Sequence, residues 1–547
     1  MKLTKSPYVW LPLWIALGIA LGIFIGNTFS IFNSRRSLFN RGDKLEAILE
    51  YINDAYVDSI NMQNVLEGAI PNIINQLDPH SAYIPAKDME MVSEDLEGHF
   101  SGIGVQFSIL NDTITVVSVI SGGPSSAAGI MPGDRIVKVN DSIFTGKDVT
   151  NERVLKNLRG AKGSVVKLGI KRGGSPNLIA VSVKRGDIPV NTVDASFMAT
   201  KNVGYIKINK FGSTTYNEFI TGLSKLQTQG AKSLIVDLRQ NTGGYLGAAQ
   251  MMINEFFPKK QLIVYTEGRA FPRESYYSDG SGTFQNEQVV VLIDEGSASA
   301  SEIFAGAIQD TDRGLIMGRR SFGKGLVQQQ RVFKDGSALR LTIARYHTPS
   351  GRCIQKAYKL GDQEDYQMDL MNRYLRGEMD NQDSIKYGKN MPMFKTKGGR
   401  PIRGNDGIMP DIFIPRDTVG INSYYSQVVS KGYLYEYAIK YVDYNRNKLK
   451  QFKNWEQMAS FLQRQPLVEN LAEYALSKGI HRRPYLISES YSLFQMQLIA
   501  NILRPIFGDG VYYQYLLQQD PLYKKAVLLI QAQKATPTAV AHQLYKK

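Results

Sequence analysis

A strand, a run of small residues and a helix follow one another at residues 289–308. Residues 289–293 are five apolar, mostly β-branched residues in succession, a pattern that predicts a short buried strand. Apolar residues then recur on one helical face at positions 303, 304, 307 and 308. The segment between them, residues 296–302, reads Gly-Ser-Ala-Ser-Ala-Ser-Glu. The pattern therefore predicts a strand-to-helix turn with Ser299 near the start of the helix.

A serine at such a turn has the surroundings that a nucleophile needs. The free N–H groups at a helix N-terminus point outward and favour negative charge, so they can hold an oxyanion. The small neighbours allow a substrate backbone to approach closely. A hydroxyl still needs a base to become a good nucleophile. The segment does not contain the Gly-x-Ser-x-Gly elbow, and none of the five histidines lies in a recognisable triad motif.

The stretch Ser-Phe-Gly-Lys-Gly at residues 321–325 supplies a candidate base, Lys324. A lysine becomes a base when burial or its neighbours lower its pKa. Gln328, four residues later, would share the same face of an extended segment and could orient the amine by a hydrogen bond. From residue types alone, a Ser-rich helix cap followed by a surface lysine in a glycine loop explains the two stretches equally well.

Together the two stretches resemble the nucleophile and base segments of the carboxyl-terminal processing peptidases, also called tail-specific proteases. The resemblance implies that Ser299 is the nucleophile, Lys324 the general base and Gln328 the residue that orients the lysine. It implies a multidomain α+β protein with a crotonase/ClpP-like α/β serine protease core. It implies no cofactor, and no metal-ligand cluster stands out in the sequence.

A second loop of the core would complete an oxyanion hole. Asp-Leu-Arg at residues 237–239 ends a predicted strand at 234–239, and Gly243 and Gly244 follow. This order resembles the family's other active-site loop, where a glycine N–H joins the N–H after the nucleophile. The resemblance implies that Ala300 pairs with Gly243 or Gly244, and Thr242, where the family usually has proline, leaves the choice open. A tight turn that needs positive φ is compatible with the same glycines.

Two histidines are rival bases. His80 lies in Leu-Asp-Pro-His-Ser at residues 77–81, which resembles a sequence found before the PDZ domain in the same family. A turn residue after Pro79 is the simpler interpretation of His80. His347 ends a predicted strand at 339–346, and a structural role at the strand end is favoured over a Ser–His pair.

Residues 98–187 resemble a PDZ domain. Gly-Ile-Gly-Val at 102–105 is followed in order by Gly-Pro at 123–124 and Pro-Gly-Asp at 132–134. The resemblance implies that the first loop binds a peptide's terminal carboxylate and that the peptide adds as a strand beside Val105. A predicted helix at 151–158 would form the other wall. The implied peptide-binding residues are Gly102, Ile103, Gly104, Val105, Val154, Leu155 and Leu158.

The N-terminus has the composition of a membrane anchor. No charged residue lies between Lys5 and Arg35, and residues 9–28 are long enough to cross a bilayer as a helix. Lys2 and Lys5 precede this stretch, as in a signal anchor, and no Ala-x-Ala-like cleavage site follows. The resemblance implies a body outside the cytoplasm, in the periplasm if the source is a Gram-negative bacterium. Glycines at 18, 22 and 26 form a small-residue ridge that could pair two such helices in a homo-oligomer.

The 547 residues are long enough for several domains. The expected divisions are an anchor at 1–36, a helical domain at 37–97, the PDZ domain, a core at 188–416 and a helical domain at 417–547. Residues 355–403 are expected to form an insertion or lid, and 417–547 to serve self-association or substrate gating. The basic residues behind the net charge of +15 are scattered, which favours lipid headgroups over nucleic acid as a neighbour. The single cysteine, Cys353, excludes an intramolecular disulfide.

The sequence therefore predicts a membrane-anchored serine endopeptidase. Its partners would be protein substrates with free C-termini, which the PDZ groove captures and concentrates near the nucleophile. The alternative is a PDZ scaffold that binds C-terminal peptides without cutting them. A hydratase or thioesterase of the crotonase kind would also use backbone oxyanion holes, but it explains neither the PDZ segment nor Lys324.

Overall fold

The computed structural model describes residues 43–110, 112–120, 122–173, 177–386 and 391–537. The predicted membrane anchor at 1–36 falls outside these ranges. Across the described ranges, no helix combines the length and apolar character needed to cross a bilayer. The described residues divide into two compact units, one that ends at Gln76 and one that begins at Leu77.

The first unit contributes two helices, Asp43–Ala55 and Met62–Ile74. Both were expected from their apolar stripes. The second begins at Asn61, whose side-chain oxygen accepts hydrogen bonds from the amides of Gln63 and Asn64, as a helix cap does. A third helix of the region predicted as 37–97, Ala86–Glu97, belongs to the second unit.

A six-stranded sheet lies at the centre of the second unit. Its first two strands pair antiparallel and the others parallel. Its central strands are buried along their whole length, which suits a parallel sheet covered on both faces. In spatial order the strands are Val193–Thr200, Val203–Ile208, Ser233–Asp237, Gln288–Ile293, Leu315–Gly318 and Ile412–Phe413.

Helices cover both faces of this sheet. Thr215–Thr228, Leu246–Asn254 and Ala300–Asp310 pack on one face. The helix Pro521–Gln531 packs on the other, where Leu522 and its neighbours meet side chains of the alternate strand positions. Successive residues of a strand point to opposite faces, so a strand such as Gln288–Ile293 supplies both layers. The last described helix is therefore part of the core, although the sequence placed it in a separate C-terminal domain.

A second sheet joins strands from distant parts of the chain. Ala82–Ile84 pairs antiparallel with Ala338–His347, which also pairs with Leu326–Val332 and Leu262–Glu267. Glu274–Tyr277 completes it. Because Ala82–Ile84 already belongs to this sheet, the core begins before the predicted PDZ domain. That domain is therefore inserted into the core.

The inserted domain is a sheet with a flanking helix. Thr150 caps the helix Asn151–Leu158 by accepting a hydrogen bond from the Arg153 amide. Val105–Leu110 lies at the sheet edge. The pair His99–Gly102 and Gly186–Pro189 closes the domain at its base. In spatial order the main strands are Val105–Leu110, Thr113–Val119, Arg135–Val139, Val165–Lys171 and Ile179–Lys184, with Ser142–Ile143 beside the third and a short helix at Pro124–Ala127.

The predicted insertion is clamped to the core. It contains the helix Gln363–Leu375 and a small hairpin of Met393–Lys395 with Pro401–Arg403. Buried Arg373 from this helix donates to the carbonyl oxygens of Arg320 and Ser321 at 2.8 and 2.9 Å. Glu378 pairs with both Arg320 and Arg373 at 2.7 and 2.9 Å. These contacts hold the insertion against the segment that carries Lys324.

The C-terminal region is helical, as predicted, and has its own hydrophobic core. Leu503 and Ile499 of the predicted stripe are buried there, with Leu493 and Met496 packed against it. Arg446 donates to the Pro132 carbonyl of the inserted domain at 2.5 Å. The helices are Ser423–Ser430, Tyr433–Tyr444, Arg446–Leu449, Trp455–Gln463, Leu467–Ser477, Pro484–Glu489, Tyr491–Phe507, Asp509–Leu517 and Pro521–Gln531.

Candidate active site

Ser299 lies at the predicted strand-to-helix turn. It follows the strand Gln288–Ile293 and directly precedes the helix Ala300–Asp310. Its φ of 56° is a left-handed conformation that non-glycine residues rarely adopt, and such strain is concentrated at functional sites. The side chain is buried.

The carboxylate of Glu302 joins the two predicted catalytic segments. It accepts hydrogen bonds from the backbone amides of Ser299 and Lys324, both at 2.8 Å on Oε2. On Oε1 it accepts from the Gly323 amide at 2.7 Å and the Ser321 hydroxyl at 2.5 Å. Glu302 is fully buried, and that burial outweighs the four hydrogen bonds and raises its pKa to about 7. The spacing Ser-x-x-Glu is that of a capping box, the sequence signal by which Glu302 could have been found.

Lys324 has the environment that its predicted role requires. Burial lowers the pKa of its amine, and the positive charge of Arg340 lowers it further. Its Nζ donates to Gln328 Oε1 at 3.2 Å, so the residue predicted to orient the amine does contact it. Among the described residues, no hydrogen bond joins Lys324 Nζ to Ser299 Oγ.

His80 lies close to the base but does not contact Ser299. Its backbone carbonyl accepts a hydrogen bond from Gln328 Nε2. Its Nε2 pairs with the Tyr366 hydroxyl at 2.8 Å. Burial, followed by the charge of Lys324, lowers the pKa of the His80 imidazole to about 4, so the ring is neutral at neutral pH. The turn at 77–81 therefore helps to enclose Lys324, a role that sequence reasoning did not assign.

Asp78 fixes this turn to the core. Its carboxylate accepts from the hydroxyls of Ser81 at 2.5 Å and Thr342 at 2.8 Å. Burial alone would raise the pKa of Asp78, but these bonds, with those from the His80 and Ser81 amides, hold it below its usual range. The Ser81 hydroxyl in turn accepts from the Thr342 amide at 3.0 Å. The turn is thus attached to the strand Ala338–His347.

Tyr346 lies near the Ser299 side chain, and burial raises the pKa of its phenol to about 12. Tyr346 is therefore a neutral phenol at physiological pH. The adjacent His347 has a different environment: its Nδ1 donates to the Gly351 carbonyl at 3.1 Å, and its ring stacks on Tyr265 with centroids 4.6 Å apart. These contacts hold the His347 ring at the strand end, where the sequence favoured a structural role for it.

The loop after Ser233–Asp237 contacts the residues on either side of Ser299 through Asn241. The buried Asn241 side chain accepts from the Gly243 amide at 2.9 Å and donates to the Ile208 carbonyl at 3.0 Å. Its own carbonyl accepts from the Ala298 amide at 3.0 Å and the Ser301 hydroxyl at 2.8 Å. One asparagine therefore attaches this loop to the start of the nucleophile helix.

The two glycines of this loop differ in their hydrogen bonding. Gly243 has φ 101°, and a Cβ there would lie 2.7 Å from Ser299 Cβ and 3.0 Å from the Ala300 nitrogen. A side chain would thus fill the space beside the nucleophile. The Gly243 amide is engaged by Asn241. Within the described chain, the Gly244 and Ala300 amides have no hydrogen-bond partner.

The predicted peptide-binding residues lie together in the inserted domain. Val105 begins the edge strand Val105–Leu110, whose outer side is open to a further strand in the described structure. Val154 and Leu158 are buried in the domain's core, and Leu155 is half-buried. Ile103 is buried between Gly102 and Gly104.

No group of three or more histidine, cysteine, aspartate or glutamate residues suited to a metal ion occurs in the described ranges.

Comparison with known proteins identifies the family. The model of peptidase family S41 matches residues 202–368, and a PDZ domain model matches 101–183. A probable CtpA-like serine protease of Staphylococcus aureus is 32% identical over 375 residues, which cover 67% of this chain and 74% of that protein. The chain belongs to peptidase family S41. A family of unknown function matches residues 424–508 of this S41 chain.

Other relatives of this S41 chain carry related names. The carboxy-terminal processing protease CtpB of Bacillus subtilis is 36% identical over 320 residues, 57% of this chain and 65% of CtpB. The chain thus spans just under two thirds of that relative. Among solved structures, a photosystem II D1 C-terminal processing protease is 28% identical, with a TM-score of 0.33 over 58% of this chain and 90% of that one.

Proposed function

We propose that the protein is a serine endopeptidase of the carboxyl-terminal processing type. It captures the free C-terminus of a protein in its PDZ domain and cleaves the chain with Ser299 as nucleophile and Lys324 as base. One observation carries the proposal: the same buried carboxylate of Glu302 accepts the backbone amides of both residues. The two segments that carry Ser299 and Lys324 are thereby held together by one side chain, which a simple helix cap would not do.

The environment of Lys324 supports its role as a base. Its lowered pKa increases the fraction of neutral amine at neutral pH, and only the neutral amine can accept a proton. Gln328 Oε1 accepts a hydrogen bond from the Lys324 amine, and Gln328 Nε2 donates one to the His80 carbonyl. Lys324 Nζ donates to Gln328 in the structure and not to Ser299, so catalysis requires the Ser299 hydroxyl and the amine to turn toward each other.

The reaction then proceeds through an acyl-enzyme. Neutral Lys324 removes the Ser299 proton as the oxygen attacks the peptide carbonyl, and the protonated amine gives that proton to the leaving amine. A water molecule, deprotonated by Lys324, hydrolyses the ester and restores the hydroxyl. We propose that the amides of Ala300 and Gly244 hold the oxyanion, because Asn241 occupies the Gly243 amide.

The PDZ domain supplies the substrate. A peptide tail that adds to the open edge of Val105–Leu110 would be held through main-chain hydrogen bonds, with its carboxylate at residues 102–105. Tethering raises the effective concentration of the adjoining chain at Ser299. The substrate class is therefore proteins with an accessible, unfolded C-terminus.

Two variants test the proposal. Ser299→Ala and Lys324→Ala should each abolish cleavage of an unfolded protein, while a fluorescent C-terminal peptide still binds. Lys334→Ala, which removes an exposed lysine, is the matched control and should cleave normally. Substantial cleavage by both active-site variants would rule the dyad out. Peptide binding without cleavage by the unaltered protein would indicate the alternative, a PDZ scaffold.

We also propose that residues 9–28 anchor the protein and that its body lies outside the cytoplasm. The support is the uncharged stretch between Lys5 and Arg35. Alkaline phosphatase fused to the C-terminus should be active and sediment with membranes, because that reporter works only after export. An inactive phosphatase fusion, or an active one in the soluble fraction, contradicts the respective half of the proposal.

A further inference from the structure

Arg239 lies between the strand Ser233–Asp237 and the glycines of the proposed oxyanion loop. The strand Ser233–Asp237 ends two residues earlier, and Arg239 turns back to bind Asp237. Its Nε lies 3.0 Å from both carboxylate oxygens and its Nη2 lies 2.6 Å from Oδ2. The Arg239 carbonyl accepts a hydrogen bond from Lys207 Nζ. Arg239 therefore sets the backbone course from the strand end into the loop.

The cluster around Asp237 is buried. Tyr205 donates its hydroxyl to Asp237 Oδ2 at 2.8 Å, and Lys207 Nζ lies 3.6 Å from Oδ1. Burial would raise the pKa of Asp237, but Arg239 and Lys207 hold it well below its usual range. Asp237 is therefore an anion under all ordinary conditions, and Arg239 is its principal counter-charge.

A second carboxylate reaches Arg239 from the far end of the chain. Asp520 Oδ2 lies 2.5 Å from Arg239 Nη1, across 281 positions of sequence. Asp520 is also the cap of the helix Pro521–Gln531, because its Oδ1 accepts from the Tyr523 amide at 2.9 Å. The ring of Tyr523 packs edge-on against Tyr205, with centroids 5.6 Å apart. The C-terminal helix and the proposed oxyanion loop thus share one polar cluster, in which Asp237 is buried and the Arg239–Asp520 pair is partly buried.

We propose that Asp520 is a positioning residue for the oxyanion loop, and that the C-terminal helix Pro521–Gln531 thereby contributes to the peptidase reaction. This inference rests on the proposed function, because its measurement is cleavage. Arg239 bridges two carboxylates: Asp237, at the end of the strand Ser233–Asp237, and Asp520, at the start of the helix Pro521–Gln531. The bridge fixes the backbone immediately before Gln240.

The other hydrogen bonds that hold this loop, here called tethers, differ from the Arg239–Asp520 pair in where they come from. Gln240 is held by Asp294, through its amide at 2.8 Å and its Nε2 at 2.6 Å. Asn241 is held by Ile208 and by the start of the nucleophile helix. These tethers lie within the core itself. Asp520 is the tether that comes from outside the S41 match at 202–368, so through it the C-terminal region can affect catalysis.

Asp520→Asn separates the two roles of this side chain. Asparagine caps a helix as well as aspartate does, so Pro521–Gln531 keeps its first turn. The charge that Arg239 faces is lost, and Arg239 can then shift toward Asp237. Asp509→Asn is the matched control, because Asp509 begins the helix Asp509–Leu517 and pairs with Arg504 Nε at 2.6 Å, in the same region but away from the loop.

The experiment measures kcat and KM for an unfolded protein substrate and the affinity of a peptide aldehyde, with active sites counted by a fluorophosphonate. Displacement of an oxyanion donor should lower kcat of Asp520→Asn on the order of tenfold. KM and the binding of a C-terminal peptide should not change. Affinity for the aldehyde, whose adduct carries an oxyanion, should fall by a similar factor. Asp509→Asn should match the unaltered protein in every measurement.

Other results would contradict either the role of Asp520 or the proposed function. A kcat per active site within twofold of the unaltered protein overturns the role of Asp520, and so does a lowered kcat with unchanged aldehyde affinity. If Asp520→Asn does not fold, Arg239→Lys replaces it, because lysine cannot bridge both carboxylates and should give the same kcat loss. Cleavage that persists in Ser299→Ala refutes the proposed function instead, independently of Asp520.

Discussion

Replacing Glu302 by glutamine tests whether one buried carboxylate holds the nucleophile and base segments together. Glutamine has nearly the same shape, but one of its two oxygens becomes an NH2 group that cannot accept. If that group takes the place of Oε1, the amides of Ser299 and Lys324 keep their acceptor on Oε2. The Ser321 hydroxyl can rotate to accept from the new NH2 group. The Gly323 amide and the Ser321 hydroxyl proton, which both pointed to Oε1, then lose their acceptor.

The cost follows from that count. Each buried donor without an acceptor destabilises a protein by about 1–3 kcal/mol. With two such donors, we expect Glu302→Gln to lower the free energy of unfolding by about 2–6 kcal/mol at pH 8 and to retain cleavage. Glu302→Ala removes the acceptor of all four donors, which amounts to roughly 4–12 kcal/mol and rivals the whole stability of a domain. We expect that variant not to fold.

The penalty of Glu302→Gln should also depend on pH. Burial raises the pKa of Glu302 from an ordinary value of 4.5 to about 7, so the folded protein binds this proton more tightly than the unfolded chain does. The resulting stability is fully present below pH 4.5 and is lost as the pH rises through 7. Between pH 5 and pH 8 the loss amounts to about 2–3 kcal/mol. Glutamine does not titrate, so its penalty at pH 5 should exceed that at pH 8 by the same amount.

Urea unfolding followed by circular dichroism at the two pH values measures this difference. Glu456→Gln, at an exposed carboxylate of the helix Trp455–Gln463, is the control and should show equal penalties at pH 5 and pH 8. Equal penalties for Glu302→Gln would refute the reasoning, because Glu302 would then be ionised throughout. Complete loss of cleavage by a folded Glu302→Gln would refute the expected orientation of its amide.

Two further predictions concern the base and the oxyanion loop. Gln328→Glu places a negative charge beside Lys324 Nζ, and Arg340→Gln removes a positive charge near it. Both variants should therefore raise the pKa of Lys324 and move the rising limb of the pH–rate profile to higher pH. An unchanged profile in both variants would contradict Lys324 as the base. Asn241→Ala removes two buried hydrogen bonds and should destabilise the protein by about 2–6 kcal/mol, which urea unfolding measures. Steady-state kinetics should show a lower kcat with KM unchanged. A normal kcat would show that the loop holds its shape without Asn241.

The elements with strong local signals were predicted well. The apolar run before Ser299 forms the strand Gln288–Ile293, and the apolar face after it forms Ala300–Asp310. The helix expected at 151–158 has those bounds in the structure. In these segments periodicity and end signals agree with the tertiary packing, so a single sequence suffices. The strand predicted at 234–239 was wrong by two residues, because Arg239 turns back onto Asp237 instead of continuing the sheet.

The contacts between distant segments could not be predicted. The pairing of Ala82–Ile84 with Ala338–His347 leaves no trace in either stretch, since a short strand specifies its faces but not its partner. The same limit applies to the neighbours of Ser299. Strand alternation places Tyr346 and His347 on opposite faces, and which face meets the nucleophile depends on the whole sheet. The His80–Tyr366 pair likewise joins residues 286 positions apart.

The placement of the last described helix affects how the chain can be made. Leu522 and Ile530 cover the back of a sheet whose strands begin at Val193, more than half a chain earlier. Until synthesis reaches Pro521, that apolar surface is only partly covered, and contacts over such separations form slowly. We infer that the catalytic site of a growing chain becomes fully ordered only after the helix Pro521–Gln531 has been synthesised. Ribosome-bound chains that end before Pro521 yet react with a fluorophosphonate at Ser299 would refute this inference.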